Sequence, residues 1–120
     1  MLGPLYRDML ASHGVPHVYN HWSFMPGLAE QYQKMEQFTA PFAVMRLLTP
    51  LKMSYEAAKK RAEPYTKIVG ELPDMRREAV VLIKDAIGHN MRAYVLVNNR
   101  LEGNAPLTVQ AFTDMLKDEN

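Results

Sequence analysis

The stretch Arg92-Ala-Tyr-Val-Leu-Val-Asn98-Asn99-Arg100-Leu-Glu102-Gly103-Asn104-Ala-Pro106-Leu-Thr-Val109 decides the reading of the fold. Its first part is an apolar run with the composition of a buried strand, and it stops abruptly at two asparagines. A short polar turn bearing Gly103 follows. Pro106 then fits the first turn of a closing helix, where a missing N–H loses no intrahelical partner. Strand, turn and helix in that order make a βα unit. Such a unit presents polar side chains and free helix N–H groups on one rim, where α/β proteins place their sites.

The same alternation extends back through the chain. Pro4, the apolar residues after it and Gly14 predict a helix over Leu5 to Gly14. A first strand is expected near 16–22, with Pro16 confined to its beginning. Leu28, Tyr32 and Met35 share one face of a helix from Met25 to Met35. A second strand near 42–48 is a continuous apolar run apart from Arg46, the pattern of a strand buried on both faces. Ser54 can cap a helix that runs through Glu56 and Arg61 and is interrupted by Pro64. Asp74 reads as the N-cap of a helix from Met75 to Ile87. Its stripe is Ala79, Leu82, Ile83, Ala86 and Ile87, while Arg76, Arg77, Lys84 and Asp85 face water and Gly88 ends it. The third strand lies near 92–98. The last helix carries Val109, Phe112 and Leu116 on one face and frays from Lys117 to Asn120.

Helices alternating with apolar strands predict an α/β fold, with right-handed crossovers and a short parallel sheet. Residues 1–120 read as a single domain, with no repeat, low-complexity tract or linker. Three strands cannot close a barrel, and two of them are left with raw edges. An eight-stranded (β/α) barrel takes about 250 residues, roughly twice this length.

Composition narrows the class. Hydrophobic residues make up 48% and charged residues 22%, the values of an ordinary globular domain. A net charge of +1 gives no field to support nucleic-acid or anionic-membrane binding. No cysteine is present, which excludes disulfides, thiolate metal sites and a cysteine nucleophile. No apolar stretch reaches a membrane span and no signal-peptide order opens the chain, so a cytoplasmic protein is expected. P-loop, dinucleotide glycine, nucleophile-elbow and His-Glu-x-x-His patterns are absent, and no cofactor is named by the sequence.

The run Val95-Leu-Val-Asn98-Asn99-Arg-Leu-Glu102-Gly103-Asn-Ala105-Pro106 resembles the closing signature of the domain of unknown function 72 (YecE-like) family. There an apolar strand ends in an Asn-Asn pair before Gly, Ala, Pro and the final helix. The His13-Gly-Val-Pro-His-Val-Tyr-Asn20 approach to the first strand and the apolar strand ending at Arg46 are similar to the family's later strands. The resemblance covers nearly the whole chain but only the family's C-terminal half. It implies three βα units of a TIM-type barrel. Two departures stand out: the family's Gly- and Trp-rich opening strand is absent, and Leu47-Leu48-Thr49 follows Arg46 where His-Gly is common.

Polar residues gather where the strands end: Asn20, His21 and Trp22 after the first, Arg46 late in the second, Asn98 and Asn99 after the third, then Glu102 and Asn104. In a parallel sheet these ends share one rim. Arg46, inside an apolar strand, requires a carboxylate such as Glu102, backbone carbonyls or an anionic ligand, and its planar donors suit phosphate. The asparagines can orient a ligand or cap the loop. His21 is the acid–base candidate because imidazole titrates near neutrality. His17 and His21 can share a strand face, but two histidines do not make a metal site, and none is assigned. His13 and His89 read as helix-end residues, Trp22 as a rim aromatic or stacking platform, and the nine methionines as core fillers. The expectation is a partial barrel holding a small anionic or phosphate-containing ligand at this rim. Its rival is a non-catalytic interaction module, a homo-oligomer or one completed by a partner that supplies the missing strands. Whether the chain is an enzyme is left open.

Overall fold

The structure, a computed structural model, describes residues 3–35 and 38–118. It is an α/β fold: among the described residues, six helices accompany a three-stranded parallel sheet of order β1-β2-β3. The strands are β1 (Val18–His21), β2 (Phe42–Leu47) and β3 (Arg92–Val97). The helices are α1 (Pro4–Ser12), α2 (Leu28–Met35), α3 (Tyr55–Ala62), α4 (Pro73–Gly88), α5 (Asn99–Glu102) and α6 (Ala105–Asp118). The expected fraying at Glu119 and Asn120 lies outside the described residues. No helix among them is long and apolar enough to cross a membrane.

Sequence and geometry agree at most element boundaries. Ser54 caps α3, its hydroxyl accepting the Ala57 N–H at 3.1 Å, and Lys59, Lys60 and Arg61 offset the dipole in the last turn. Gly14 has φ +63°, the left-handed conformation that ends α1, and His13 and His89 are the C-caps of α1 and α4. Several boundaries differ: β1 is shorter than the expected 16–22, and α2 starts at Leu28 rather than Met25. Asp74 is not the cap of α4, which starts a residue earlier at Pro73 with Leu72 as N-cap. The polar turn after β3 contains a helix of its own, α5, capped by Asn98.

The helices cover one side of the sheet only. Tyr19, His21, Ala43, Met45 and Leu47 are buried on that side, with Val95 and Val97 packed against the core they form. Leu28, Met35, Met75, Ala79, Leu82, Ile83, Leu101 and Phe112 complete it. The opposite side is bare. Val18, Asn20, Phe42 and Val44 are half-buried there, Arg46 and Arg92 are exposed, and Tyr94 and Leu96 are 49% and 54% exposed. The expectation of a β2 buried on both faces is therefore corrected: it alternates, because a helix layer exists on one face alone. Ile87 and Val109, placed on apolar stripes by periodicity, are exposed at the rims of their helices. Arg76, expected to face water, is largely buried in an ion pair.

Leu82 and Phe112 sit in this core at 1% and 5% exposure. Replacing either with alanine is expected to destabilise by about 2–5 kcal/mol, through lost transfer energy and an unfilled cavity. Ile87→Ala is expected to change stability by less than about 0.5 kcal/mol. Urea denaturation that leaves the Leu82→Ala midpoint unchanged would contradict this packing.

Candidate functional site

Parallel pairing brings the three strand C-termini to one rim, as the polar clusters require. Asn20 pairs in register with Arg46, and Arg46 with Leu96, so these three side chains form one rung on the bare face. Arg46 makes no hydrogen bond or ion pair with any described residue. It is exposed, so its charge stays solvated and needs no internal counter-charge. That corrects the expectation of a buried guanidinium, and Glu102, one of the partners open to it, is bonded to Arg76 instead. Asn20 donates from Nδ2 to the Val18 carbonyl at 2.9 Å, and its strand position pairs with that of Arg46. Trp22 follows at the rim, 37% exposed, with its ring edge-to-face on the exposed Phe24 at 5.1 Å between centroids.

His21 lies on the other side. Strand residues alternate, so the neighbour of Asn20 points among the helices and is only 5% exposed. Its Nδ1 is 2.8 Å from the Thr49 carbonyl oxygen. A carbonyl only accepts, so Nδ1 carries the proton in the neutral ring and Nε2 presents a lone pair. Burial lowers the His21 pKa against the opposing bond to Thr49 and the field of Glu78, which keeps the ring neutral. His21 borders a cavity of about 260 Å³ at the amino end of α4. His17 does share the helix side with His21, but its nitrogens meet the Tyr6 hydroxyl and the Gln31 amide, each at 3.1 Å.

The asparagines hold backbone. Asn98 Oδ1 accepts the Arg100 N–H at 2.9 Å, and Asn99 Oδ1 accepts the Ala105 N–H at 2.8 Å. Asn104 caps α6 through the Leu107 N–H at 3.0 Å and donates to the Tyr65 carbonyl at 2.8 Å. Of the two roles open to them, the structure shows capping.

Glu102 is the centre of a buried knot. Its carboxylate is fully buried and accepts the Arg76 Nε and Nη2 at 2.9 and 2.8 Å. It also accepts the Leu72 N–H and the Thr108 hydroxyl, both at 2.7 Å. Burial alone would raise its pKa, but Arg76, Leu72 and Thr108 together outweigh burial and hold it below the usual glutamate value. Gly103, next in the chain, has φ +124° and lies against the 67–69 backbone, where a Cβ would stand 2.8 Å from the Val69 nitrogen. Only glycine fits there. Glu102 is thus a clamp between α4, α5 and α6 rather than a ligand group. Arg76 and Thr108, its partners, were not singled out by the sequence.

The clamp predicts a pH signature. A carboxylate whose folded pKa is depressed contributes stability above its unfolded value, and that contribution is lost as pH falls from about 4.5 through the folded pKa. The stability gap between the parent and Glu102→Gln is therefore expected to narrow below that pH in thermal melts. Arg76→Met, which strands the buried charge, is expected to cost about 3–5 kcal/mol at neutral pH.

No family model, curated protein or solved structure matches this chain when it is compared with known proteins.

Proposed function

We propose that this chain forms part of a parallel (β/α) barrel of the domain of unknown function 72 type. Its bare sheet face would be the barrel interior, and a small anionic or phosphate-bearing ligand would be held at the strand C-terminal mouth. The observation that carries the reading is Arg46. A guanidinium in the middle of a sheet rung, beside Asn20 and without a carboxylate partner among the described residues, is a donor fork left available to a planar or tetrahedral anion. The strand order supports the barrel part: helices on one side only are what barrel units have, with the inner face kept for side chains of the other strands. Asn20 would orient the anion. The capping asparagines, the clamped Glu102 and the helix-side His21 take no part in this reading.

Phosphate is expected to raise the melting temperature with a saturating dose dependence, since a ligand of the folded state stabilises it by mass action. Arg46→Gln is expected to remove that response and to leave baseline stability within about 0.5 kcal/mol, because the side chain is exposed. A parent that shows no saturable shift contradicts the anion site.

A second reading is favoured by the exposed Tyr94 and Leu96 and by the outer edges of β1 and β3, which no described strand covers. Here the chain is an interaction module completed by a second copy or another chain that covers the face and pairs the edges. Light scattering at micromolar concentration is expected to report a dimer or larger, and Leu96→Lys to shift it toward monomer. A parent that remains monomeric across that range contradicts self-association.

A further inference from the structure

We propose that the cavity at the amino end of α4 is a binding site for a small neutral polyol of about monosaccharide size. It is separate from the anion reading of Arg46, which lies on the other side of the sheet, and it does not depend on that reading.

Three observations converge on the cavity. The first is His21, almost wholly buried, whose Nε2 has no partner among the described residues while Nδ1 is fixed by Thr49. The ring borders the cavity, so an oriented acceptor is offered there without a donor. The second is the helix end. The Leu72 N–H is taken by Glu102 and Pro73 has none, but the N–H groups of Asp74 and Met75 have no acceptor among the described residues. Both residues line the cavity. The third is the wall. Pro50, Leu51, Leu72 and Met75 give the cavity apolar sides, around a volume of about 260 Å³.

Charge selects the ligand class. A free helix N-terminus invites an anion, but Asp74 already stands in its first turn, held by Arg77, and Glu78 places a second carboxylate within the field of His21. A ligand anion would meet both. A hydroxyl resolves the set: it can donate to His21 Nε2 or to the Asp74 carboxylate and accept from the Asp74 and Met75 N–H groups. The carbon face of a polyol matches the apolar wall. A neutral compound with several hydroxyls fits each group at once.

The test is NMR of the imidazole nitrogens of the full chain, titrated separately with glycerol, D-ribose and D-glucose, with acetate as the anionic control. At least one of the three neutral compounds is expected to shift the His21 Nε2 resonance saturably, with acetate without effect. Asp74→Ala, a change at an exposed side chain that leaves the core intact, is expected to weaken that response about tenfold. Arg46→Gln is expected to leave it unchanged, so failure here and failure of the anion site are told apart. His21→Gln assigns the resonance. Shifts that rise linearly with all three compounds mark a cavity that holds water only and overturn the proposal. So does a saturable response that survives Asp74→Ala unchanged, and so does tighter binding of acetate than of the neutral compounds.

Discussion

Three consecutive parallel strands in the order β1-β2-β3 impose a constraint that governs the rest of the molecule. Each return to the start of the next strand crosses over with the same hand, so successive crossovers lay their helices on the same side. With period two along each strand, every residue is then assigned to a helix-covered or an open environment by its parity alone. Tyr19, His21, Met45 and Leu47 enter the core, while Asn20, Phe42, Arg46 and Tyr94 do not. The low cost of Arg46 and the exposure of Leu96 follow from the same parity. So does the edge-to-face contact of Phe42 with Tyr94, 6.1 Å between centroids, which shelters part of an otherwise uncovered apolar surface.

A one-sided sheet depends on its helix layer staying in register, and Glu102 supplies much of that hold. Leu72 cannot cap α4 with its side chain, and Pro73 offers no N–H. The Leu72 N–H is satisfied instead by a carboxylate thirty positions along the chain, which also bonds Arg76 on α4 and Thr108 on α6. Such a group is tolerated inside because each oxygen has two donors and the charge has a counter-ion. Gly103 lets the chain turn sharply enough to bring Glu102 there. The polar signature after β3 is thus largely a device for fastening three helices together.

Much of this was legible in the sequence because strand and helix periods and local caps are short-range signals. Ser54, Gly14 and the strand limits of β2 were readable from neighbours alone. What was missed depended on distant partners. In Phe42-Ala-Val-Met-Arg-Leu both parities are apolar except at Arg46, so the run cannot say which face lacks a cover. Arg46 marks one parity as open, yet among apolar neighbours it reads as a buried charge, because the run itself does not show on which side the helices lie. Asp74 looked like the cap of α4 since capping rules consult adjacent side chains, whereas the donor that mattered was met by Glu102. The polar residues at the strand ends are visible in the sequence, but spacing does not separate caps from ligand groups. Asn98 and Asn99 act on backbone two and six residues on.

The parity that separates Asn20 from His21 also limits the chemistry available at the rim. A ligand held by Arg46 and Asn20 would lie on the open face, whereas the imidazole of His21 lies behind the sheet, within the helix layer. Proton transfer between them would have to cross the β-sheet. The open face itself carries Val18, Asn20, Phe42, Val44, Arg46, Arg92, Tyr94 and Leu96, which include no carboxylate, imidazole or thiol. These described groups can hold and orient an anion, but they cannot shuttle a proton near neutral pH. Any acid–base step on that face therefore requires a side chain from outside this set. On the open face this chain presents the side chains of Asn20 and Arg46, while the His21 imidazole borders a cavity on the helix side.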